Sequence, residues 1–444
     1  MERNLTTGSV LRNCIFFSLP YLLSYFLQTL YGMADLYIIG QFNGVEHITA
    51  VSIGGQVMHM LTVMIVGLAM GTTVTIGKAV GAKRSERASV AIGNTITLFL
   101  GVSIALTIVL LLLVGPIVSV MSTPSEAVAG TIQYLTICFI GIPFITSYNI
   151  ISSIFRGLGD SKSPMYFIAL ACVCNIALDC FFIGALHLGA MGAALGTTVA
   201  QSISVIVALV VIRKREMGIS VRRKHLRPER DTMGQVLKIG VPVALQDGFI
   251  QIAFIVITII ANRRGLNDAA AVGIVEKMIG VVFLVPSSML STVSALSAQN
   301  IGAGKHKRAA QTLWDCTAIA VAFGLTVSVV IQFIAEPAVG LFTKDEMVTV
   351  LGGQYIRGYI WDCIFAGVHF CFSGYFCAYG RSGISFLHNF LSIICVRVPG
   401  AYLASKFYPD TLFPMGLAAP AGSLLSVVIC VVAYVWMRRT YLDK

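Results

Sequence analysis

Five acidic side chains stand inside stretches that are otherwise almost wholly apolar: Asp35, Asp179, Asp247, Glu276 and Asp362. Two of them carry polar neighbours at helical spacing. Asn175 precedes Asp179 by four residues, so on a helix the amide and the carboxyl share a face. Gln28, Tyr31 and Asp35 fall three and four apart and make a second such stripe, and Thr197 and Thr198 add hydroxyls from the apolar stretch that follows Asp179. Carboxylates, amide oxygens and hydroxyls are the ligand set for a proton or a hard cation such as Na⁺. Carboxyls shielded from water titrate near neutral pH, where uptake and release are both feasible. Asp35, Asp179, Asn175, Thr197, Gln28 and Tyr31 are therefore expected to form a cation-coupling site; the bland alternative is a neutral carboxyl that only hydrogen-bonds a neighbouring helix. Glu276 and Lys277 are adjacent, so they face different ways on a helix, and either stands to pair with Asp362 or Arg397.

The elements that must hold these groups follow from composition. Of the 444 residues 57% are hydrophobic and only 11% charged, with a mean hydropathy of +0.85. Soluble domains carry roughly 25% charged residues, so this chain lacks the polar cover that water demands. Helices are expected throughout, because a hydrocarbon layer of about 30 Å takes about 20 apolar residues per helix and leaves an open sheet edge unsatisfied. Twelve spans are read at 14–40, 49–77, 91–114, 128–155, 164–186, 190–212, 236–262, 269–298, 312–335, 353–378, 385–405 and 414–437. The polar first dozen residues do not look like a removable signal peptide.

Placing both termini in the cytoplasm puts 23 basic residues in inside loops and 4 in outside loops, which orients the spans by the positive-inside rule. It also explains the net charge of +11 as a topology signal rather than a nucleic-acid footprint. The eleven cysteines lie mostly inside apolar runs without CxxC spacing and read as small buried hydrophobes. No histidine pattern suggests a metal site beyond a hard cation such as Na⁺.

Sliding the second half over the first gives identities at a near-constant offset. Gly81-Ala82 meets Gly302-Ala303, Gln133-Tyr134 meets Gln354-Tyr355, and Phe155, Gly159 and Ser161 meet Phe376, Gly380 and Ser382, all 221 apart; Pro20 meets Pro242 at 222. The expected architecture is an all-α membrane protein: twelve transmembrane helices in two pseudo-symmetric six-helix bundles. The N-terminal lobe is 1–212, a basic cytoplasmic linker 213–235, and the C-terminal lobe 236–444, with a cleft between lobes for substrate. No acid has an acidic twin in the other copy, which favours a task over scaffolding. Gly157-Leu158-Gly159-Asp160 spells a GxGD pattern, but Asp160 lies in a loop between Arg156 and Lys162, not in a membrane-embedded acid pair.

The run from Leu19-Pro20 through Gln28-Thr29-Leu30-Tyr31 to Asp35, the Gly81-Ala82 turn, the segment 155–164 and the stretch Asn175 to Thr198 together resemble the multidrug and toxic compound extrusion (MATE) family over essentially the whole chain. The resemblance implies a secondary active multidrug efflux antiporter that exports cationic or amphipathic organic compounds in exchange for H⁺ or Na⁺ by alternating access. Gln28, Tyr31, Asp35, Asn175, Asp179 and Thr197 match the family's polar cluster, and Pro20 matches its bending proline. Asp362 matches a family cation-site aspartate, which makes Glu276 and Asp362 candidates for a second-lobe cation or substrate site. Where some members carry an acid midway along span seven, Ile250 and Gln251 stand here. The resemblance further implies a multi-pass plasma-membrane protein that works as a monomer, without a cofactor and without enzymatic activity. The rival reading is a flippase for lipid-linked or polysaccharide precursors. That activity favours a cationic cavity, for which Arg357 and Arg397 are few.

Overall fold

The computed structural model describes residues 4–214 and 221–441. Arg3, the linker stretch 215–220 and Lys444 lie outside the described residues. All regular structure among the described residues is helical. The first half is α1 (Val10–Phe42), α2 (Val45–Gly81), α3 (Ser85–Val120), α4 (Ser125–Ile140), α5 (Ile142–Gly157), α6 (Lys162–Asp179) and α7 (Gly189–Lys214). In the second half come α8 (Arg230–Asn262), α9 (Leu266–Val282), α10 (Leu284–Gly302), α11 (His306–Gly340), α12 (Glu346–Tyr359), α13 (Asp362–Ala378), α14 (Ser382–Ser392), α15 (Val398–Phe407) and α16 (Phe413–Tyr441). Ten helical stretches are long and apolar enough to cross a membrane, or twelve if each bent pair crosses once; α4 and α5 meet at 48°, α12 and α13 at 42°.

Burial is arranged for lipid. On α3 the side chains of Leu100, Ile104, Ile108 and Leu112, one turn apart, are all exposed, a stripe that water would not tolerate and acyl chains satisfy. Small residues take the protein-facing positions instead: Ser288, Ser291, Ser294, Ala295 and Ala298 of α10 are buried where that helix packs on α13. Such side chains let backbones approach closely when no hydrophobic force pulls helices together. Eight cysteines are buried as expected; Cys180 and Cys395 are exposed, because each sits on the outward face of a span.

Two compact units divide the described chain. The first comprises Leu23–Gly240; the second joins Leu5–Leu22 to the chain from Val241 onward. The units are thus not a simple cut at the linker. The opening turns of α1 group with the second half and those of α8 with the first. Backbone contacts hold both exchanged ends in place. In the second unit Arg308 donates to the Gly8 and Thr7 carbonyls at 2.7 and 2.8 Å, and Lys305 to that of Thr6 at 2.8 Å. In the first unit Asn94 donates to the His225 carbonyl at 3.3 Å and accepts from the Glu229 amide at 2.6 Å, while Thr97 donates to the Leu226 carbonyl at 2.8 Å.

Equivalent turns of the two halves share a backbone conformation. Lys83 and Gly304, and Gly159 and Gly380, all have positive φ (55°, 71°, 88° and 76°) and stand 221 residues apart. The two bends also correspond: Gly141 separates α4 from α5, and the residue 221 further on, Asp362, opens α13. A Cβ at Gly141 would lie 2.7 Å from the Thr198 methyl and 2.8 Å from its hydroxyl.

Asp160, of the GxGD spelling, caps α6. Its Oδ1 accepts from the Lys162 and Ser163 amides at 2.9 and 3.1 Å, and its Oδ2 from the Ser163 hydroxyl at 2.6 Å. Losing such a cap costs about 0.5–2 kcal/mol. Asp160→Ala is expected to destabilise the detergent-solubilised protein by about that free energy, read as a lowered melting temperature, while leaving any cation response intact; an unchanged melting curve would show that the cap contributes nothing.

Candidate functional site

Within the first unit, α1, α6 and α7 bring four of the expected residues together. Thr197 donates to Asp35 Oδ2 at 3.2 Å, and Asn175 reaches both Thr197 Oγ1 and Asp179 Oδ2 at 3.4 Å. Asp35 and Asp179 lie within hydrogen-bonding reach of each other. Asp35 is 5% exposed, Asn175 2% and Asp179 0%, so bulk water screens neither carboxyl. Among the described residues no basic side chain is a partner of either acid. Asp35 Oδ1, Asp179 Oδ1 and Asn175 Oδ1 accept no hydrogen bond among the described residues.

An ionised carboxylate only accepts, so two of them cannot bond each other, and two like charges at this separation repel in a low dielectric. Burying even one unpaired charge costs several kcal/mol. The arrangement is therefore complete only with a positive particle: a proton shared between the carboxyls, or a small cation held by the same oxygens.

Local sequence explains how the carboxyls come so close. Thr197 follows Gly196, at which a Cβ would collide with Asp179 Oδ1. The missing side chain lets the acid press against the backbone of α7. Asp179 is also the last α-helical residue before a π-helical turn, Cys180–Ala185; such widened turns recur where a side chain must be re-aimed at a functional site. Beside the acids, Tyr31, Ala171, Asn175, Thr197, Ala200 and Gln201 line a crevice too narrow for a water molecule.

Gln201 and Gly196 escaped sequence reasoning. Gln201 had a signal, a lone amide one turn beyond Thr197; Gly196 had none, because a missing Cβ acquires meaning only beside its neighbour. Gln28 is half-buried on α1, but seven residues separate it from Asp35, a rise of about 10 Å, and the cluster's hydrogen bonds do not include it. Pro20 lies fifteen residues before Asp35 on α1, which runs unbroken through it.

The second-lobe candidates sit in the second unit. Glu276 accepts from Thr258 at 3.2 Å. Asp362, fully buried, opens α13 and lies 3.7 Å from Arg397 Nη2. Tyr355 and Tyr359 are in electrostatic reach of Glu276, Asp362 and Arg397 alike. The two halves thus place acids in different settings, without a basic partner in one and with a guanidinium in the other.

Restoring a Cβ beside Asp179 tests the packing that holds the first cluster. Gly196→Ala is expected to destabilise the protein by about 1–3 kcal/mol, the usual penalty of overpacking, whereas Gly101→Ala, where a Cβ meets open space, should be tolerated. Equal melting temperatures for the two variants would contradict the close approach.

Comparison with known proteins places this geometry. The MatE family model matches residues 20–181 and again 242–403, two segments displaced by 222 residues. A probable multidrug resistance protein, YoeA, of Bacillus subtilis (strain 168) is 26% identical over 97% of this chain and 95% of its own. The multidrug export protein MepA of Staphylococcus haemolyticus (strain JCSC1435) is 24% identical over 98% and 96%. Among solved structures, a MOP superfamily transporter from Pyrococcus furiosus has the same fold, with a TM-score of 0.90 at 23% identity over 99% of this chain and 98% of that one. With two matches of its model together spanning most of the sequence, the chain belongs to the MatE family, whose members are multi-pass membrane transporters rather than enzymes.

Proposed function

We propose that this protein is a secondary active antiporter that exports cationic or amphipathic organic compounds in exchange for H⁺, by alternating access, with the exchanged proton held between Asp35 and Asp179. One observation carries the reading: two buried carboxyls within hydrogen-bonding reach and without a basic partner. That pair demands a positive particle, and a proton shared between two carboxyls needs no further ligands, whereas Na⁺ takes a larger shell of oxygens. The names of the relatives in Bacillus and Staphylococcus support the drug-export side. In this reading the chain is a plasma-membrane monomer of twelve spans in two six-helix bundles, with both termini cytoplasmic, and Pro20 is where α1 bends as the carboxyls load and unload.

The energetics are adequate. For a neutral solute, one elementary charge moved through 100 mV supplies about 2.3 kcal/mol, a gradient of about 1.6 decades; for a monovalent cation exchanged one for one with H⁺ the electrical work cancels, and each pH unit across the membrane supplies about 1.4 kcal/mol, or about one decade. A flippase for anionic lipid-linked precursors would ask for a cationic lining, and the first-unit cluster is acidic.

The test is efflux of a fluorescent organic cation from proteoliposomes under proton and sodium gradients imposed separately. A proton gradient should drive export by the parental protein, and Asp35→Asn and Asp179→Asn should each reduce it to the protein-free background. Parental rates in both variants would overturn the site, and export driven by sodium alone would overturn the ion.

A further inference from the structure

The second unit contains a charge cluster that proton exchange at Asp35 and Asp179 does not use. Its central residue, Arg397, ends a π-helical turn, Ile393–Arg397. Pro399 has no N–H, so the carbonyl four residues back, that of Cys395, loses its helical partner; the backbone closes instead by a five-residue bond from the Val398 amide to the Ile393 carbonyl. The Arg397 side chain is buried, 9% exposed for the residue. Its guanidinium donates to the Tyr359 hydroxyl, lies 3.7 Å from Asp362 Oδ2, and stacks over Phe254 and Tyr359 at 5.2 and 5.6 Å from the ring centroids. Every one of these groups belongs to the second unit.

Among the described residues of that unit, Asp362 has no other charge partner. It begins α13, where the helix dipole favours its negative form, and both of its oxygens lack a hydrogen bond within 3.5 Å among the described residues. Glu276 takes its hydrogen bond from Thr258. A buried acid so placed would call for a cation as urgently as the first-unit pair does. Here the chain itself supplies one. The residue 221 positions before Arg397 is Ile176, so the first unit has no guanidinium at the corresponding place.

We infer that Arg397 is a resident cation: its guanidinium occupies the position beside Asp362 that an exchangeable ion would take, so the second unit binds no coupling cation and the protein exchanges ions at the first unit alone. The guanidinium is permanently charged and covalently tethered. Two aromatic faces complete its surroundings, each contributing cation–π attraction that strengthens when water is excluded. The consequence for coupling deepens the proposed antiport and rests on it; occupancy of the Asp362 site does not, and can be read without transport.

Trp361, next to Asp362, is the reporter. In a full-length chain carrying Trp314→Phe and Trp436→Phe, Trp361 fluorescence is titrated with Na⁺ and, separately, with acid. With Arg397 present, no response should depend on Asp362, that is, none should disappear with Asp362→Asn. Arg397→Gln should create a saturable response to Na⁺ or to acidification that Asp362→Asn removes. The titratable groups in electrostatic reach of Asp362 are Arg397, Tyr359, Tyr355 and Cys363; Glu276 shares Arg397 and the two tyrosines with it, so that comparison separates the aspartate from Glu276. Arg397→Lys keeps the charge and should stay silent. Should Arg397→Gln alone misfold, the double variant Asp362→Asn/Arg397→Gln, which removes both charges, should recover a monodisperse protein, as a neutralising pair predicts. An Asp362-dependent Na⁺ response with Arg397 in place, or silence in a folded Arg397→Gln protein, would overturn the inference. Absence of ion-driven efflux would instead count against the antiport reading, leaving the Trp361 titration to decide this one.

Discussion

Two carboxyls held against each other in a medium that barely screens charge cannot both be ionised without a positive partner, and the packing of the first unit keeps them together under that constraint. The low dielectric that makes the pair costly when both acids are ionised makes it responsive when one of them binds a cation. Thr197 and Asn175 tie three helices into one chain of hydrogen bonds. A glycine opposite Asp179 and a π-turn directly after it set the separation. Each feature is modest alone, and together they leave the acids close to one another, with no basic partner among the described residues.

The second unit meets the same difficulty in another way. Asp362 cannot remain an isolated buried charge, and a guanidinium lies beside it, whereas among the described residues no basic side chain partners the first-unit pair. A tethered partner has an energetic signature: removing one member of a buried pair is far more damaging, by about 3–5 kcal/mol, than replacing both. The two halves therefore share their turns and bends while their charges follow different rules. Duplication preserved the scaffold, and the chemistry diverged at a few positions.

Much of the fold was legible because hydropathy alone fixes where a chain crosses lipid. The expected span 190–212 lies inside Gly189–Lys214, and 164–186 nearly coincides with the helix from Lys162 through Ala185. Span ends were read short, 91–114 against Ser85–Val120, since helices continue into water on polar turns that hydropathy discounts. The breaks inside 128–155 and 353–378 left no strong mark, because a bend needs only a local change of packing. At the site, the four-residue spacing of Asn175 and Asp179 carried real geometric content. Gln28 misled because helical periodicity reports a shared face and says nothing of distance along the axis. Closeness between Asp179 and Gly196, like the exchange of helix ends between units, depends on tertiary packing that no single-chain pattern encodes.

The correspondence between Gly141 and Asp362 limits how the molecule can be re-engineered. Grafting an aspartate onto residue 141, to give the N-terminal repeat a copy of its sister's acid, would drive a new side chain into Thr198, whose atoms already crowd that spot. Any attempt to make the repeats electrostatically alike must first trim that threonine, so steric occlusion, apart from any selection on transport, helps keep the duplicated halves dissimilar.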